Sequence, residues 1–553
     1  MTKDRLESGL TCLRALLLSA AIVLNSCMLL PSAPTADTTI APAPMAPPHE
    51  VELAPATAPA GESAPAAEPA EPVEPAEPLA LTVQEAILAA MEHNRALAVE
   101  RLNPEIARTF EQEQRAAFDP RLAAEVAGSA ERRPATAGLE DRSDESAISA
   151  AAAVVQTLPT GTDVSLGPSS ERLKSDLRDD QYVNRLGLTV NQALLRGAGL
   201  DVNLASVHQA RLDTLASQYE LRGFAQSLLA DTEEAYWDYA LAVRTIEIVT
   251  NAMALAEQQV RETRERIEVG VLAQTELAAA EAELARRREN LINARGAQAV
   301  LRLRLRRLLN LQENGQMWDR EIVLRTAPVP PAVVLDDVET YVQVAMRMRP
   351  DLNQARLGVQ RNDLDLVRTR NGLLPRLDLF VTLGKTGYAE SFGESLANVA
   401  DDGDYDALIG LRLEHDLANR AARSRHQRAL YSREQAIRAV DNLAQLVQVD
   451  VRAAYIEVQR AGEQVVATAA TRRLGEETLR AETEKYRVGK STSFLVAQAQ
   501  RDLLQSQIAE VGAVVSHLKS LVRLHLQQGA LLERRGILAP GGTPVDLSAA
   551  PQW

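Results

Sequence analysis

Two long tracts of the chain, Asp201 to Asn310 and Asn419 to Gln528, carry apolar residues at heptad spacing among many good helix formers. No proline interrupts either tract, and proline in a helix interior would break the helix. The pattern predicts long helices that pack knobs into holes, as the wall of a helical barrel or as a plain coiled coil. The heptad positions are Leu277, Leu284 and Leu291 in the first tract and Leu504, Val511 and Leu518 in the second.

Each tract has a glycine near its middle, and we predict that the helix reverses there. Gly270 follows Val269 and Gly489 follows Val488 in similar surroundings. Glycine has no Cβ and therefore permits such a turn. At 1.5 Å per residue, each predicted hairpin would form a rod of roughly 100 Å. A globular core does not need helices of that length, whereas a structure that crosses a distance does.

Between the helices the apolar period changes to two, which predicts β-strands. Residues 121–192 hold several such segments, including a pair at 147–166. Residues 376–415 hold two more around a Gly- and Asp-rich loop at 384–404. This alternation suits membrane β-barrel strands and half-buried soluble strands equally well. Because a few strands cannot close a barrel, a membrane location would require several copies of the chain.

The order of helix, strands and long hairpin occurs twice, which predicts two internal repeats. Before the first strands, Thr82 and Glu85 form a capping-box pattern at the start of a helix that is predicted to run through Ala107 or beyond, with a kink or break at Pro104. A helix at 335–371 precedes the second set. The predicted boundaries are a first repeat at 81–330 with strands at about 121–192 and a hairpin at about 201–310, a second repeat at 331–540 with strands at about 376–415 and a hairpin at about 419–530, and a tail at 541–553.

The N-terminus has the features of an exported protein. Basic residues precede an apolar run, Ala15 to Leu24, that is too short for a typical membrane-spanning helix. The run ends in a segment similar to a bacterial lipobox, which predicts a signal peptide at 1–27 and lipid attachment at Cys27; ordinary signal cleavage nearby is the alternative. Residues 28–80 are rich in Ala, Pro and Glu and are predicted to form an extended linker.

Composition and charge argue against several functions. The 553 residues carry a formal charge of −15, with arginines interleaved among glutamates, which favours solvated helix faces over a nucleic-acid surface. Both cysteines lie within the first 27 residues, and the histidines are dispersed without metal-ligand spacing. Gly489 to Ser491 is similar to the end of a phosphate-binding loop, but Glu484 occupies the position of its first glycine. We therefore predict no cofactor, no metal site and no enzymatic activity.

From about Leu81 to Leu532 the chain resembles the outer-membrane efflux protein family, the TolC-like channels. The resemblance implies a mainly α fold with a membrane β-barrel portion: a trimeric α/β-barrel built from two internal repeats, each with β-strands and a long helical hairpin. Four strands per protomer would give twelve in the barrel, and the additional pair at 147–166 departs from that plan. The motifs that carry the resemblance are Val269-Gly270-Val271 with Thr275, Tyr486-Arg487-Val488-Gly489 with Thr492, Arg349-Pro350-Asp351-Leu352, and Leu374-Pro375-Arg376-Leu377.

The resemblance also implies a function, namely the passive outer-membrane exit duct of a tripartite efflux or type I secretion system, with a long periplasmic portion. The implied partners are two further copies in a homotrimer, a periplasmic adaptor (membrane fusion) protein, an inner-membrane pump of RND, ABC or MFS type, and outer-membrane lipid, with no nucleic acid. The alternative is a periplasmic adaptor or a structural coiled-coil lipoprotein without a pore. An adaptor would be expected to have one hairpin, whereas this chain has two.

In the family, the glycine turns form the periplasmic gate and contact the adaptor. Tyr486 matches a gate tyrosine, and Glu276 matches an acid that pairs with a cation across the gate. The position of that cation holds Ser491 here, beside Lys490. Ordinary helix-end packing is the alternative role for Tyr486 and Glu276. The predicted gate and adaptor-contact residues are Val269, Gly270, Val271, Thr275, Glu276, Tyr486, Val488, Gly489, Lys490 and Ser491.

Two further positions are candidates for the pore constriction. Leu495 and Gln498 stand where some family members carry a ring of aspartates. Without those carboxylates, the resemblance does not imply a strong cation-binding ring in this chain.

Overall fold

The computed structural model of the chain describes residues 79–133, 143–175, 178–310, 321–401 and 404–546. The predicted signal peptide at 1–27 with its lipid attachment at Cys27, nearly all of the linker at 28–80, and the last seven residues of the tail lie outside this described part.

Three short helices open the described chain. Helix α1 (Val83–His93) begins with the predicted capping box, which is confirmed: the Glu85 N–H donates to Thr82 Oγ1 at 3.2 Å, and the Thr82 N–H donates to Glu85 Oε2 at 2.7 Å. The predicted single helix through Ala107 is wrong, because the chain breaks at Asn94. The other two helices are α2 (Arg95–Glu100) and α3 (Leu102–Ala116).

The break follows from capping chemistry rather than from the proline. The Asn94 side chain accepts the N–H groups of Ala96 and Leu97, so it caps α2 and ends α1 at the same point. Pro104 lies in the first turn of α3, where its missing N–H costs no helix hydrogen bond. Pro104 therefore does not kink the helix.

The described residues contain the strands β1 (Leu79–Leu81), β2 (Arg121–Arg133), β3 (Ser143–Leu158), β4 (Thr162–Ser175), β5 (Arg178–Ala193), β6 (Ile322–Leu324), β7 (Arg376–Ala389) and β8 (Tyr405–Glu414). Six of them form one antiparallel sheet in the order β2-β3-β4-β5-β7-β8. A separate parallel pair joins two short strands, β1 and β6. In the described residues the additional pair of strands, β3 and β4, lies inside the large sheet, which therefore has six strands instead of the four that the resemblance implies.

The two faces of the large sheet differ in polarity. Directly opposed residues on neighbouring strands share a face, so the ladder partners can be followed across the sheet. One face carries polar pairs such as the two-point contact of Arg185 with Asp406, at 2.9 Å and 2.6 Å. One row of the apolar face runs through Leu122, Val154, Leu166, Leu188, Leu383 and Ala407.

The predicted loop at 384–404 is wrong for most of its length. Strand β7 continues to Ala389, and a helix, α9 (Phe392–Asp401), follows it. The hydroxyl of Ser395 is buried and donates to the Gly387 carbonyl at 2.7 Å. The side-chain amide of Asn184 donates to the Phe392 carbonyl at 3.3 Å. Helix α9 therefore packs on the middle of the sheet, against β5 and β7.

Two long hairpins extend away from the sheet. Each has a longer first arm and a shorter second arm. The first arm of the first hairpin, α5 (Ala205–Glu268), has 64 residues and spans roughly 96 Å. The remaining helices are α4 (Leu200–Asn203), α5 (Ala205–Glu268), α6 (Thr275–Leu309), α7 (Val338–Met348), α8 (Pro350–Asn371), α10 (Arg420–Arg487), α11 (Ser493–Gln527) and α12 (Leu531–Arg534).

The thickest part of the core, which we call the collar, surrounds the middle of α5 where α1, α2, α6, α11, α12 and the β1–β6 pair pack on it. Tyr236 and Tyr239 of α5 fix that small sheet: their hydroxyls donate to the carbonyls of Leu81 at 3.1 Å and Ile322 at 3.2 Å. Collar residues with almost no exposure are Ile87, Leu97, Leu229, Tyr236, Tyr239, Leu305, Leu309, Leu531 and Leu532.

Candidate functional site

Both hairpins reverse through the same turn. In the first, the Gly270 N–H donates to the Ile267 carbonyl and the Val271 N–H donates to the Arg266 carbonyl, each at 2.9 Å. These are the two bonds of the Schellman motif, which requires a left-handed residue after the helix. Gly270 supplies it with φ +77°.

The second tip repeats this geometry. Gly489 has φ +74°, its N–H donates to the Tyr486 carbonyl at 3.1 Å, and the Lys490 N–H donates to the Lys485 carbonyl at 2.8 Å. The arms differ in how they resume: Thr492 caps α11 by accepting the Leu495 N–H, whereas Thr275 is the first residue of α6 and makes no such cap.

Apolar side chains are left uncovered at both tips. Val269 and Val271 are 73% and 71% exposed, and Val488 is 65% exposed. Val269 lies about 30 residues beyond Tyr239, so this tip is roughly 45 Å from the collar along α5. Each tip therefore ends in apolar side chains that no other described residue covers.

The structure brings Tyr486 and Glu276 into contacts between the two hairpins. The guanidinium of Arg266 lies 5.6 Å from the centroid of the Tyr486 ring, a cation–π distance. Ser493 Oγ donates to Glu276 Oε2 at 2.5 Å. Both contacts cross from the first hairpin to the second, so they hold the two tips together within one chain.

Ser491 makes a different contact from the one that the sequence suggested. Its hydroxyl donates to Glu482 Oε2 at 2.7 Å, and Glu482 also accepts from Lys485 Nζ at 2.7 Å. The bonds from Lys485 and Ser491 lower the pKa of the Glu482 carboxyl. Lys490 is exposed. In the described chain Glu276 therefore meets Ser493, whereas Ser491 bonds to Glu482 within its own hairpin.

Leu495 and Gln498 lie on the exposed side of α11. Their neighbours Val496 and Ala499 are buried, so the helix turns its apolar contacts one way and these two residues the other. A pair three residues apart shares one helix face. That face is open in a single chain.

Sequence reasoning missed the Glu283–Arg501 pair, which ties α6 of the first hairpin to α11 of the second. Glu283 accepts from Arg501 Nη1 at 3.1 Å, and its other oxygen lies 2.6 Å from the buried Arg287. The Arg501 guanidinium also lies 5.9 Å from the Phe494 ring centroid. The i,i+4 spacing of Glu283 and Arg287 was a visible signal. Ser493 and Arg501 were not predictable, because their contacts depend on how the hairpins lie side by side.

The tips contain no arrangement that suggests chemistry on a bound group. Among the described residues, no three His, Cys, Asp or Glu side chains come together as a metal site. The tips instead hold ion pairs and hydroxyl hydrogen bonds, which join the helices, and apolar side chains that are exposed.

A sequence profile described as "Outer membrane efflux protein" matches residues 86–311 and 341–530, which is most of the chain. The chain belongs to the outer membrane efflux protein family. It is thus an outer-membrane protein of efflux transport. The outer membrane efflux protein BepC of Brucella suis biovar 1 (strain 1330) is 24% identical over 346 residues, covering 62% of this chain and 71% of BepC.

Solved structures of bacterial membrane proteins share the fold of this family member. A membrane protein from Pseudomonas aeruginosa has a TM-score of 0.61 at 19% identity, covering 81% of this chain and 93% of that one. The Campylobacter jejuni CmeC outer membrane channel has a TM-score of 0.60 at 14% identity, covering 84% and 87%. The mainly helical fold with sheets is therefore TolC-like, and the structural relatives are channels rather than enzymes.

Proposed function

We propose that three copies of this chain form a passive exit duct across the periplasm and the outer membrane, as the channel of a tripartite efflux or type I secretion system. In this proposal the chain from 81 to 540 consists of two repeats. Both repeats contribute strands to the six-stranded sheet, which lies in the outer membrane, and their hairpins form the periplasmic tunnel. A periplasmic adaptor binds the tips, and an inner-membrane pump delivers the cargo.

The observation that carries the proposal is the combination of an apolar sheet face with hairpins of roughly 100 Å on one chain. Strands of 10 to 16 residues are long enough to cross a bilayer when tilted. The sheet has two unpaired edges, and only further copies of the chain can remove them in a membrane. A periplasmic coiled-coil protein without a pore would have no use for such a sheet.

The gate is proposed to be the pair of tips. Contacts between hairpins at Glu276–Ser493 and Arg266–Tyr486 hold the tips in the described arrangement. For cargo to pass, the second hairpin would move away from the first, and adaptor binding to the exposed Val269, Val271 and Val488 would shift that equilibrium. Leu495 and Gln498 would face the pore just inside the tips.

The assembly is tested by fractionation of the chain from residue 79 onward, expressed behind a foreign signal peptide. We expect trimers in the outer-membrane fraction that leave it only in detergent and that dissociate on heating. A soluble periplasmic monomer would contradict the duct.

The gate is tested by replacing glycine with valine at a tip. Gly489→Val places a β-branched residue at φ +74°, which costs about 1–2 kcal/mol of local backbone strain. We expect normal trimers with impaired export, measured as accumulation of a fluorescent pump substrate. The control is Gly296→Val, since Gly296 lies inside α6 with open space beside its Cα. Equal export by Gly489→Val and the wild type would contradict the tip assignment.

A further inference from the structure

The large sheet ends in two strands, β2 and β8, that each pair on one side only. Lipid offers no hydrogen bonds to an open strand edge, so an edge within a bilayer must be paired. We propose that β2 of one copy pairs with β8 of the next, so that three copies close one barrel of eighteen strands. This inference rests on the proposed trimer and concerns how its membrane part is built.

Strand direction allows this pairing. Each pair of neighbouring strands in the sheet is antiparallel. Because the sheet has six strands, an even number, β2 and β8 of the same chain run in opposite directions. A contact between β8 and the β2 of the next copy therefore continues the alternation without a break. The faces also match, since Leu122 on β2 and Ile409 and Leu411 on β8 belong to the same apolar face and are all exposed.

The stagger of the strands matches a closed barrel. From Arg121, the first residue of β2, the ladder partners run straight across to Leu408 on β8, whereas β8 continues to Glu414. Six residues (408 to 414) of stagger over five strand steps, at ~3.4 Å per residue and ~4.8 Å per strand, correspond to a tilt of about 40°. Closed barrels have strand tilts in this range.

The expected width agrees with the helical part. At a tilt of about 40°, eighteen strands give a backbone diameter of roughly 36 Å, and twelve would give roughly 24 Å. Four long helices per chain make twelve in a trimer, and a ring of twelve at 8–10 Å spacing is roughly 31–38 Å across. A barrel of eighteen strands therefore has about the same width as the helical tunnel. In such a duct the barrel adds no narrower passage, and cargo would be selected by size at the tips.

The inserted strands β3 and β4 are fixed to the junction between sheet and helices. Asn203 Nδ2 donates to the Pro159 carbonyl at 3.1 Å, and the Gly199 N–H donates to the Thr160 carbonyl at 3.2 Å. The Ala193 N–H at the end of β5 donates to the Gly161 carbonyl at 2.9 Å. The turn between β3 and β4 is thus a fixed part of the junction between the sheet and the helices.

Cysteine cross-linking in membranes tests the pairing. The variant Leu122→Cys with Leu413→Cys places thiols on the same face near the helix-side ends of β2 and β8. Under a mild oxidant or a short bis-maleimide, we expect covalent dimers and trimers in at least several-fold excess over either single variant, which reports any background from native cysteines. Ala123→Cys with Leu413→Cys is the matched control, because Ala123 points to the opposite face, and it should give no such ladder.

Electron cryo-microscopy of the purified protein in lipid nanodiscs provides the second measurement. A ring of eighteen strands about 36 Å wide would support the pairing. Trimers that contain a ring of twelve strands, or that show no cross-linked ladder, would overturn this inference and leave the duct intact. Absence of trimers would overturn both.

Discussion

The collar and the tips are parts of the same helices, yet they are stabilised in different ways. In the collar, α5 buries Leu229, Tyr236 and Tyr239 among five other helices and the β1–β6 pair, whereas at the tip Val269 and Val271 are uncovered. Local opening costs least where few apolar groups are buried. The difference indicates that the collar holds the hairpins in place and that the tips can move without unfolding the protein.

Charged contacts follow the same division. In the collar, Arg222 is almost fully buried and pairs with Glu533, and the buried Glu233 pairs with Arg535. Breaking such a pair leaves a buried charge without compensation and is strongly destabilising. At the tip, the Lys485–Glu482 pair is partly exposed, and pairs of this kind contribute little. In the proposed duct, these weak tip contacts would be exchanged for contacts with the adaptor.

The largest expected effect is the loss of a collar side chain. Leu229→Ala removes a fully buried leucine from the contact of α5 with α1, α2 and α12, and should lower the free energy of unfolding by about 2–5 kcal/mol. Leu495→Ala, which truncates a half-exposed leucine near the tip, is the matched control. Chemical denaturation of detergent-solubilised protein measures both. Similar losses would contradict the division between collar and tips.

A pH effect of up to about 3 kcal/mol is expected from the collar. Burial, aided by Arg534, lowers the pKa of His525 from 6.5 to about 4. Because the unfolded chain takes up this proton first, stability should fall as pH drops from about 6.5 to about 4. His525→Asn should remove that dependence, measured as the pH profile of the denaturation midpoint. If the pH profile of His525→Asn were the same as that of the wild type, His525 would be solvated in the folded protein.

A smaller effect, of about 1 kcal/mol, should separate the two tips. Thr492 caps α11, whereas Thr275 lies inside the first turn of α6. Thr492→Ala should therefore speed amide hydrogen exchange at the start of α11, while Thr275→Ala should leave the start of α6 almost unchanged. Equal responses would mean that the cap has no role in ordering the tip.

The smallest effect is expected from Glu482. The bonds from Lys485 and Ser491 lower the pKa of this carboxyl below its usual 4.5, so its stabilising contribution is present above pH 4.5 and is lost as pH falls through the lowered value. At neutral pH, Glu482→Gln should speed hydrogen exchange at the second tip slightly. High salt should reduce the difference. A difference that is independent of salt would contradict an ionic contact.

Much of the fold follows from periodicity, because heptads and alternation act over many residues. The glycine turns were equally visible, since Gly270 and Gly489 each follow a long helical tract. Helix α9 was missed because Gly and Asp dominate its surroundings, although Ser391 and Glu394 carry a capping signal and bond to each other at 3.1 Å. The contact of Glu276 with Ser493 could not be predicted, because it depends on the placement of both hairpins by the collar.

The central claim is that the two hairpins must separate at their tips for the duct to conduct. Glu276→Cys with Ser493→Cys would join α6 and α11 where their side chains now meet. Single-channel conductance of this variant in planar bilayers tests the claim most directly, with oxidised and reduced wild type as the control. We predict openings under reducing conditions, their loss on oxidation and their return on reduction. Conductance that is the same in both states would contradict the account.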